Sequence, residues 1–221
     1  RYPSYNKRSV IGSWLLEKCC HDLDLMNWIT ESKCIRVASF GSRSYFNKRE
    51  SLPQYCTDGC PIEETCIFSA LKFYPEFKEP NNKLPKYKSL CVYNVNSDLV
   101  DHQSSILEYE NGISICFSLI PLGSENTRVI YICGTEATLE GSWSQNKIRL
   151  FFYKDSKEIF YDTVGVEGHG GADSRIVSAF LDYLDNIHNK PKTTLEEGWE
   201  SMVIGCGIDL SLREHRVVEL D

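Results

Sequence analysis

The sequence has 221 residues, with 24 Lys and Arg against 31 Asp and Glu, which gives a formal net charge of −7. This acidic balance argues against a protein that binds nucleic acid or an anionic membrane, because both surfaces attract positive charge. Hydrophobic residues make up 42% and charged residues 25%, a composition typical of a globular domain. No run of residues reaches the roughly 18 apolar positions of a membrane-spanning helix, and residues 1–8 lack the apolar block of a signal peptide.

The ten cysteines are many for a chain of this length. Small secreted domains use cysteines as disulfide staples, whereas a chain of this size can build a sufficient core without them. Several cysteines also lie inside apolar runs, at residues 114–117 and 131–134, where a thiol behaves as a small buried hydrophobic group. The sequence therefore predicts reduced cysteines and a cytoplasmic protein.

The first part of the chain begins with a helix and a strand. Residues 11–30 carry apolar side chains at spacings of three and four, which predicts a helix. Residues 31–41 alternate between apolar and polar and stop at a glycine, as a strand does. Residues 42–90 are polar and rich in Pro and Cys. They are predicted to form a long loop insertion with one short helix near residues 66–74.

The middle of the chain is a series of short strand patterns. Residues 102–109 and 113–120 predict two strands joined by the Asn111-Gly112 turn, which is a strong hairpin signal. Four further strands are predicted at residues 128–133, 137–140, 147–153 and 158–163. Connections this short require mainly antiparallel pairing, because a parallel crossover needs a dozen or more residues.

Two helices are predicted in the last part of the chain. The first runs from about residue 174 to 188 and the second from about 195 to 214. The predicted inner face of the first comprises Ile176, Val177, Phe180, Leu181 and Leu184. Together these elements predict an α+β fold with one large, mostly antiparallel mixed sheet of about six to eight strands and helices on one face. Residues 1–221 are predicted to form a single domain that carries the insertion at 42–90.

A polar stripe follows one face of the first predicted helix. Glu17, His21, Asp24 and Trp28 lie at steps of four, three and four, so their side chains share a face. A carboxylate beside an imidazole can orient it, and such a His can pass a proton to or from a substrate hydroxyl near neutral pH. The alternative is a solvated helix face with routine ion pairs. The strongly apolar character of the rest of the helix favours a stripe that lines a cleft.

Three cysteines of the insertion have spacings that suggest a metal site. Cys56, Cys60 and Cys66 are separated by three and five residues, and thiolates at short spacing can converge on one tetrahedral zinc ion. Only three ligands are local, so a fourth would have to come from Cys34, Cys91 or a His. Packed or unliganded thiols are the alternative.

Two other histidines have a sequence context that permits a role. His169 lies in a glycine-rich turn before a predicted helix, where backbone N–H groups and the ring could meet a polyhydroxy or anionic ligand. A plain flexible turn is the alternative there. His102 begins a strand and is either cleft-lining or structural. Neither the glycines near His169 nor those at 205–207 complete the Gly-x-Gly-x-x-Gly dinucleotide fingerprint.

Several motifs, taken in order, resemble the C-terminal domain of the Gfo/Idh/MocA oxidoreductases, the relatives of glucose-fructose oxidoreductase and inositol dehydrogenase. Residues 12–25 resemble the family's Gly-Gly-x-x-x-Asp-x-Gly-x-His-x-x-Asp helix. Residues 56–70 resemble a Cys-Pro insertion found in one branch of the family. Further segments that match in the family's order are residues 98–103 with 108–112, residues 134–141 and residues 168–173. The resemblance spans nearly the whole chain.

The resemblance implies an oxidoreductase with an N-terminal Rossmann domain, absent from this chain, that binds NAD or NADP. The chain would then be the domain that holds a sugar, inositol or similar polyol and joins subunits of a homo-oligomer through its open sheet face. By residue-to-residue match, His21 handles the hydroxyl proton and Glu17 stands at the family's Asp position. Asp24 matches the later Asp, and Lys18 and His169 are expected to contact substrate. The isolated chain would be inactive.

Two alternatives remain open at this stage. Some relatives oxidise a sugar transiently and then cleave a glycosidic bond with no net change in the cofactor. The other alternative is a non-catalytic domain that mediates dimerisation or another interaction.

Overall fold

The computed structural model describes residues 7–78, 84–123, 125–162, 169, 171–186 and 193–220. The chain divides into two compact units, of which the first comprises Arg1–Leu122 with Leu195–Asp221 and the second Gly123–Thr194. The single domain predicted over residues 1–221 thus contains two compact units.

Helices and strands occupy most of the predicted positions. In chain order the elements are α1 (Arg8–Ile11), α2 (Trp14–Lys18), α3 (Cys20–Thr30), β1 (Cys34–Ser42), α4 (Ala70–Phe73), β2 (His102–Tyr109), β3 (Ser114–Leu119), β4 (Val129–Cys133), β5 (Ala137–Ser142), β6 (Lys147–Phe152), β7 (Glu158–Asp162), α5 (Ala172–Asp185), α6 (Leu195–Glu214) and β8 (Val218–Glu219). Short 3₁₀ turns lie at Pro75–Lys78 and Lys86–Lys88.

The first unit contains a four-stranded sheet in the order β3-β2-β1-β8. Its strands pair antiparallel, and Ala38 of β1, Ile106 of β2 and Cys116 of β3 lie in one row across it. The second unit contains the meander β4-β5-β6-β7, which is also antiparallel. The predicted α+β class with antiparallel strands is confirmed, and the eight strands form two sheets of four.

The core of the first unit lies between the first sheet and the helices α2, α3 and α6. Alternate residues of β1 and β2 point inward, as period-2 geometry requires, and meet the apolar stripe of the helices. The buried members are Leu15, Cys19, Leu23, Cys34, Val37, Leu107, Tyr109, Ile204, Ile208 and Val218. This packing holds α2 and α3 against α6, which packs on β1, and leaves their opposite face outside the core.

The predicted helix over residues 11–30 is divided in two. Ser13 starts α2, since its Oγ accepts a hydrogen bond from the backbone N–H of Leu16 at 3.1 Å. Cys19 separates α2 from α3 with φ −111° and ψ 5°, outside the helical range. Helix-type hydrogen bonds from Cys19 N–H to Leu15 C=O and from Leu23 N–H to Cys19 C=O continue across the break. The two helices therefore follow each other directly.

Arg43 joins the start of the insertion to the residues that follow its end. The guanidinium of Arg43 donates to the carbonyl oxygens of Ser97, Val92, Tyr93 and Val95 at 2.7–3.4 Å. The insertion and these following residues form two small apolar clusters, one around Leu52, Cys91 and Tyr93 and the other around Cys56, Ala70 and Leu84. Residues 79–83 of the insertion lie outside the described residues.

Two predictions about burial are wrong. The predicted inner face of α5 is more than half exposed at each of its five apolar residues, because no strand of the second unit covers it within the described residues. Cys116 and Cys133 are exposed rather than buried, because alternate residues of a half-buried strand face outward. The predicted end of α5 near residue 188 falls outside the described residues.

Within the ranges that the structure describes, no helix is long and apolar enough to cross a membrane.

Candidate functional site

The helix pair α2–α3 is fixed to the fold by its apolar side. Leu15 and Leu23 are completely buried, and both pack toward Gly205 of α6. A Cβ placed at Gly205 would come within 2.7 Å of Leu16 Cδ2, so a larger residue would require the Leu16 side chain to shift. The polar stripe on the other side of α2–α3 is thus presented from a rigid support.

The end of α3 is anchored to the hairpin between β2 and β3. The hydroxyl of Tyr109 donates to Asn27 Oδ1 at 3.1 Å, and Asn111 Nδ2 donates to the carbonyl oxygen of Thr30 at 3.0 Å. Burial raises the pKa of the Tyr109 hydroxyl, so it remains a hydrogen-bond donor at neutral pH. The C-terminal end of α3 is therefore held by β2 and the hairpin.

His21 lies on the first turn of α3 and is exposed to solvent. Glu17, on α2, is partly exposed, and its Oε1 accepts a hydrogen bond from Lys18 Nζ at 3.3 Å. No hydrogen bond joins Glu17 to His21 among the described residues. The imidazole is open to a ligand, and the carboxylate one turn before it is paired with Lys18.

Asp24 and Trp28 complete the predicted stripe on α3. Asp24 is partly exposed, and the Trp28 side chain is 75% exposed. His21, Asp24 and Trp28 all belong to α3, and their spacing places them on one surface of it. Glu17 and Lys18 belong to α2 and precede the break at Cys19. A proton acceptor, a carboxylate and a large apolar ring thus lie side by side on one exposed helix surface.

His169 belongs to the second unit, apart in sequence from the α2–α3 stripe. Its Nδ1 lies 3.0 Å from both carboxylate oxygens of Asp173, and both side chains are largely exposed. This is a side-chain contact of the i, i+4 type just before and within the start of α5. Residues 163–168 and 170, which include most of the predicted glycine turn, lie outside the described residues.

A buried Asp101 at the start of β2 holds His102, which the sequence left as either cleft-lining or structural, and sequence reasoning did not identify the Asp101 anchor. Asp101 is buried, and its carboxylate accepts hydrogen bonds from the backbone N–H groups of Ser44, Tyr45 and Phe46 at 2.7–3.2 Å. His102 Nδ1 lies 2.9 Å from Asp101 Oδ1. Burial alone would raise the pKa of Asp101, but these hydrogen bonds outweigh it and lower the pKa below its usual value. The donors at residues 44–46 are distant in sequence, so no local pattern predicts the arrangement.

Gly205 and Gly207 do not form a nucleotide-binding turn. Gly205 and Gly207 lie inside α6, and a Cβ at Gly207 would come within 2.5 Å of Leu220 Cδ2. Both glycines therefore serve close packing rather than the approach of a pyrophosphate, which requires a turn between a strand and a helix. Neither glycine offers a turn for the pyrophosphate of NAD or NADP.

The predicted zinc site is not supported. Among the residues that the structure describes, which include all ten cysteines, no three His, Cys, Asp or Glu side chains are arranged to hold a metal ion. Cys56, Cys60 and Cys66 do line one cavity, together with Cys91. The predicted proximity of the thiols is therefore found, whereas the predicted arrangement around a metal ion is not found among the described residues.

Comparison with protein families decides the classification. The family model described as "Oxidoreductase family, C-terminal alpha/beta domain", of the Gfo/Idh/MocA group, matches residues 5–220. The chain belongs to this family. The predicted resemblance is confirmed over nearly its whole length. No curated protein matches the chain.

Solved structures of low sequence identity share the fold. Levoglucosan dehydrogenase in complex with NADH and levoglucosan has a TM-score of 0.66 at 14% identity, over 98% of this chain and 53% of its own. UDP-N-acetylglucosamine 3-dehydrogenase GnnA from Acidithiobacillus ferrooxidans gives 0.61 at 12% identity, over 94% and 49%. A super-repressor mutant of Gal80p from Saccharomyces cerevisiae gives 0.64 at 12% identity, over 97% and 51%. The chain spans about half the length of these structures.

Proposed function

We propose that this chain is the substrate-binding and catalytic domain of an NAD(P)-dependent oxidoreductase that acts on a sugar, inositol or similar polyol. The family match supports an oxidoreductase. Two structural neighbours are dehydrogenases named for sugar substrates, and one of them is a complex with NADH. The observation that carries the proposal is the exposed His21 on a helix fixed by Gly205 and Tyr109.

The chain's own contribution to the reaction is the handling of a proton. Oxidation of a secondary alcohol removes a hydride and a proton, and the family resemblance assigns the hydride to a nicotinamide held by an N-terminal Rossmann domain. In the proposal, an imidazole nitrogen of His21 accepts the proton of the substrate hydroxyl. An imidazole suits this step because its ordinary pKa lies near neutral pH.

The neighbours of His21 are proposed to position the substrate. Glu17 and Lys18 form a charged pair one turn before His21, and both can hydrogen-bond further hydroxyl groups of a polyol. Asp24 follows His21 by one turn, and its carboxylate can accept a hydrogen bond from a substrate hydroxyl group. The substrate contact expected of His169 from the family resemblance stays a prediction.

The experiment is performed on the full-length protein that contains this chain. His21→Asn is expected to lower turnover by a factor of about 10² to 10⁴, the usual contribution of a positioned acid–base group, while NAD(P) binding by calorimetry and thermal stability stay near wild type. His215→Asn is the matched control, because His215 is exposed beyond α6 and has φ 55°, which Asn tolerates. Equal turnover in the two variants would exclude His21 as the proton acceptor. A full-length protein that binds no nicotinamide nucleotide would exclude the whole proposal.

Product analysis distinguishes the dehydrogenase from the glycosidase-type alternative. A relative of that type would release a free aglycone from a glycoside with no net NADH. Net formation of NADH from the free sugar or polyol, without cleavage, supports the dehydrogenase.

An oligomeric role is proposed for the open face of the first sheet. Phe40 and Ile106 on this face are 72% and 54% exposed, and Cys116 lies beside Ile106. Exposed apolar side chains on a sheet face are typical of an interface between subunits. Ile106→Glu is expected to yield monomers in analytical ultracentrifugation. Ile176→Glu, on α5, is the control of similar exposure. A wild-type monomer would refute this part of the proposal, and a stable oligomer without nucleotide binding would favour a non-catalytic interaction domain.

A further inference from the structure

Three polar side chains form a line where β1 ends and β2 begins. Ser42 and His102 lie opposite each other in the antiparallel pair of strands, and Ser42 Oγ is 3.4 Å from His102 Nε2. The other ring nitrogen, Nδ1, is 2.9 Å from Asp101 Oδ1. Hydroxyl, imidazole and carboxylate thus stand in the order in which hydrolytic enzymes arrange a nucleophile, its base and the group that holds the base.

The backbone at this end of the sheet fixes the approach of Ser42 to His102. A Cβ at Gly41 would come within 2.5 Å of the carbonyl oxygen of His102, and a backbone atom cannot turn aside as a flexible side chain can. The backbone N–H of Asp101 also donates to the carbonyl oxygen of Ser42 at 2.9 Å. Gly41 therefore permits the close contact of the two strands just before Ser42.

Asp101 determines which nitrogen of His102 carries the proton. Its side chain is only 4% exposed, and its carboxylate is ionised at neutral pH because its pKa lies below its usual value. An ionised carboxylate only accepts hydrogen bonds, so Nδ1 of the neutral ring must donate to it. Nε2 then keeps its lone pair, which accepts a hydrogen bond from the Ser42 hydroxyl. The separation of 3.4 Å is typical of a nucleophile and its base before a substrate binds.

Ser42 and His102 are accessible from solvent. Ser42 is exposed, and the His102 side chain is 46% exposed. His102 lies four residues along β2 from Ile106, which is a distance of about 13 Å in a strand. The pair is therefore at the end of the open sheet face, away from the side chain of Ile106.

We propose that Ser42 is a nucleophile for acyl transfer from activated esters, with His102 as its base. The Ser42 oxygen attacks the ester carbonyl carbon, and His102 Nε2 takes the hydroxyl proton. The bond between the carbonyl carbon and the alcohol oxygen breaks, and the alcohol leaves with the proton from His102. Water then hydrolyses the acyl group from Ser42, which gives a carboxylic acid and the free hydroxyl. Asp101 is a positioning residue, because it holds the ring in the tautomer that accepts the proton.

The neighbours of Ser42 indicate an ester with a good leaving group. The backbone N–H groups of residues 44–46 are bonded to Asp101, and the guanidinium of Arg43 donates to carbonyl oxygens of residues 92–97. These donors are engaged, so they do not stabilise a developing oxyanion. An aryl ester needs less of this stabilisation than an amide, because its alcohol leaves as a stable anion. The expected substrate class is therefore aryl and similarly activated esters.

The test uses p-nitrophenyl acetate on the full-length protein that contains this chain, followed by mass spectrometry of the acetylated residues. Trypsin cleaves after Arg43, so Ser42 and the exposed Ser44 fall in different peptides, and Ser44 is the internal reference. We expect Ser42 to be acetylated about 10² times faster than Ser44. His102→Asn should remove this advantage. His215→Asn, which changes an exposed histidine beyond α6, should leave it intact.

Asp101→Asn tests the positioning role. An amide can donate to Nδ1, so the ring can carry its own proton on Nε2, where it no longer accepts the proton of Ser42. The nitrogen NMR signals of the His102 ring should shift to those of the other tautomer, and acetylation of Ser42 should fall toward the rate of Ser44. A purely structural Asp101 would change the stability and leave the tautomer as it is.

Three results would overturn the proposal. The first is acetylation of Ser42 and Ser44 at equal rates in the wild type, and the second is complete protection of Ser42 from the ester. The third is an unchanged rate at Ser42 in His102→Asn. The comparison of the two serines in the wild type stands by itself, so a variant that folds poorly does not leave the question open.

Discussion

Gly205 of α6 lies directly against Leu16 of α2, and an added Cβ would come within 2.7 Å of Leu16 Cδ2. The methyl group of Gly205→Ala therefore requires the half-buried Leu16 side chain to shift. We expect the free energy of unfolding to fall by about 1–2 kcal/mol, as the overpacking cost exceeds the gain in helix propensity. Gly198→Ala in the same helix is the control, because no atom lies within 4 Å of its added Cβ. That variant should gain about 0.5–1 kcal/mol. Equal stability in urea unfolding would contradict the prediction.

Asp101 should make the stability of the protein sensitive to acid. Its folded-state pKa is lowered, so its hydrogen bonds stabilise the fold at a pH above the unfolded-state pKa, and this stabilisation is lost as pH falls through the folded-state pKa. We expect Asp101→Asn to cost about 1–3 kcal/mol at pH 7 and to flatten the loss of stability below about pH 4. Urea unfolding as a function of pH measures both effects. Asp182→Asn changes an exposed carboxylate of α5 and should alter neither quantity. If the Asp101 variant lost stability below about pH 4 as steeply as the wild type, Asp101 would not be the group responsible.

Arg43 should control the order of the segment that follows the insertion. Lysine has one ammonium group and cannot reach four carbonyl oxygens as the guanidinium does. Arg43→Lys is expected to cost about 1–3 kcal/mol, because partly buried carbonyl groups lose their donor, and to speed proteolysis within residues 92–97. Arg36→Lys is the control, since Arg36 pairs with Glu108 at the exposed sheet surface and such pairs contribute about 0–1 kcal/mol. Similar cleavage rates in the two variants would be evidence against this role.

Glu17 should affect turnover more than stability. Glu17→Gln keeps the shape of the side chain and removes its charge. In the full-length protein we expect turnover to fall by about tenfold, equivalent to about 1.4 kcal/mol, with a change in unfolding free energy within about 0.5 kcal/mol because its pair with Lys18 is partly exposed. Glu110→Gln, at an exposed hairpin position, is the control. A thermal shift without a kinetic change would mean that Glu17 is structural.

Local sequence patterns predicted most of the secondary structure. Strand β2 and helix α6 occupy their predicted ranges, because alternation and helical periodicity are properties of the segment itself. The break at Cys19 was not predicted, since the apolar spacing continues through it. Strand β8 was missed because two residues carry too little periodicity. The exposed face of α5 was mispredicted, because amphipathic spacing shows which residues share a face but not whether another element covers it.

The candidate site was predictable only where it depends on one element. His21, Asp24 and Trp28 share a helix, so their spacing placed them together. The carboxylate of Asp101 and its three N–H donors come from segments more than fifty residues apart, and Gly205 meets Leu16 across two helices. Such relationships depend on tertiary packing, which no spacing in the sequence encodes.

The turn at Asn111 and Gly112 serves two elements at once. It joins β2 to β3, and Asn111 also closes the end of α3 through Thr30. An insertion there would have to preserve both the hairpin register and the helix end, whereas the exposed turn after Asp155 serves a single hairpin. Natural length variation and engineered tags should therefore be tolerated near residue 155 and avoided at 110–113.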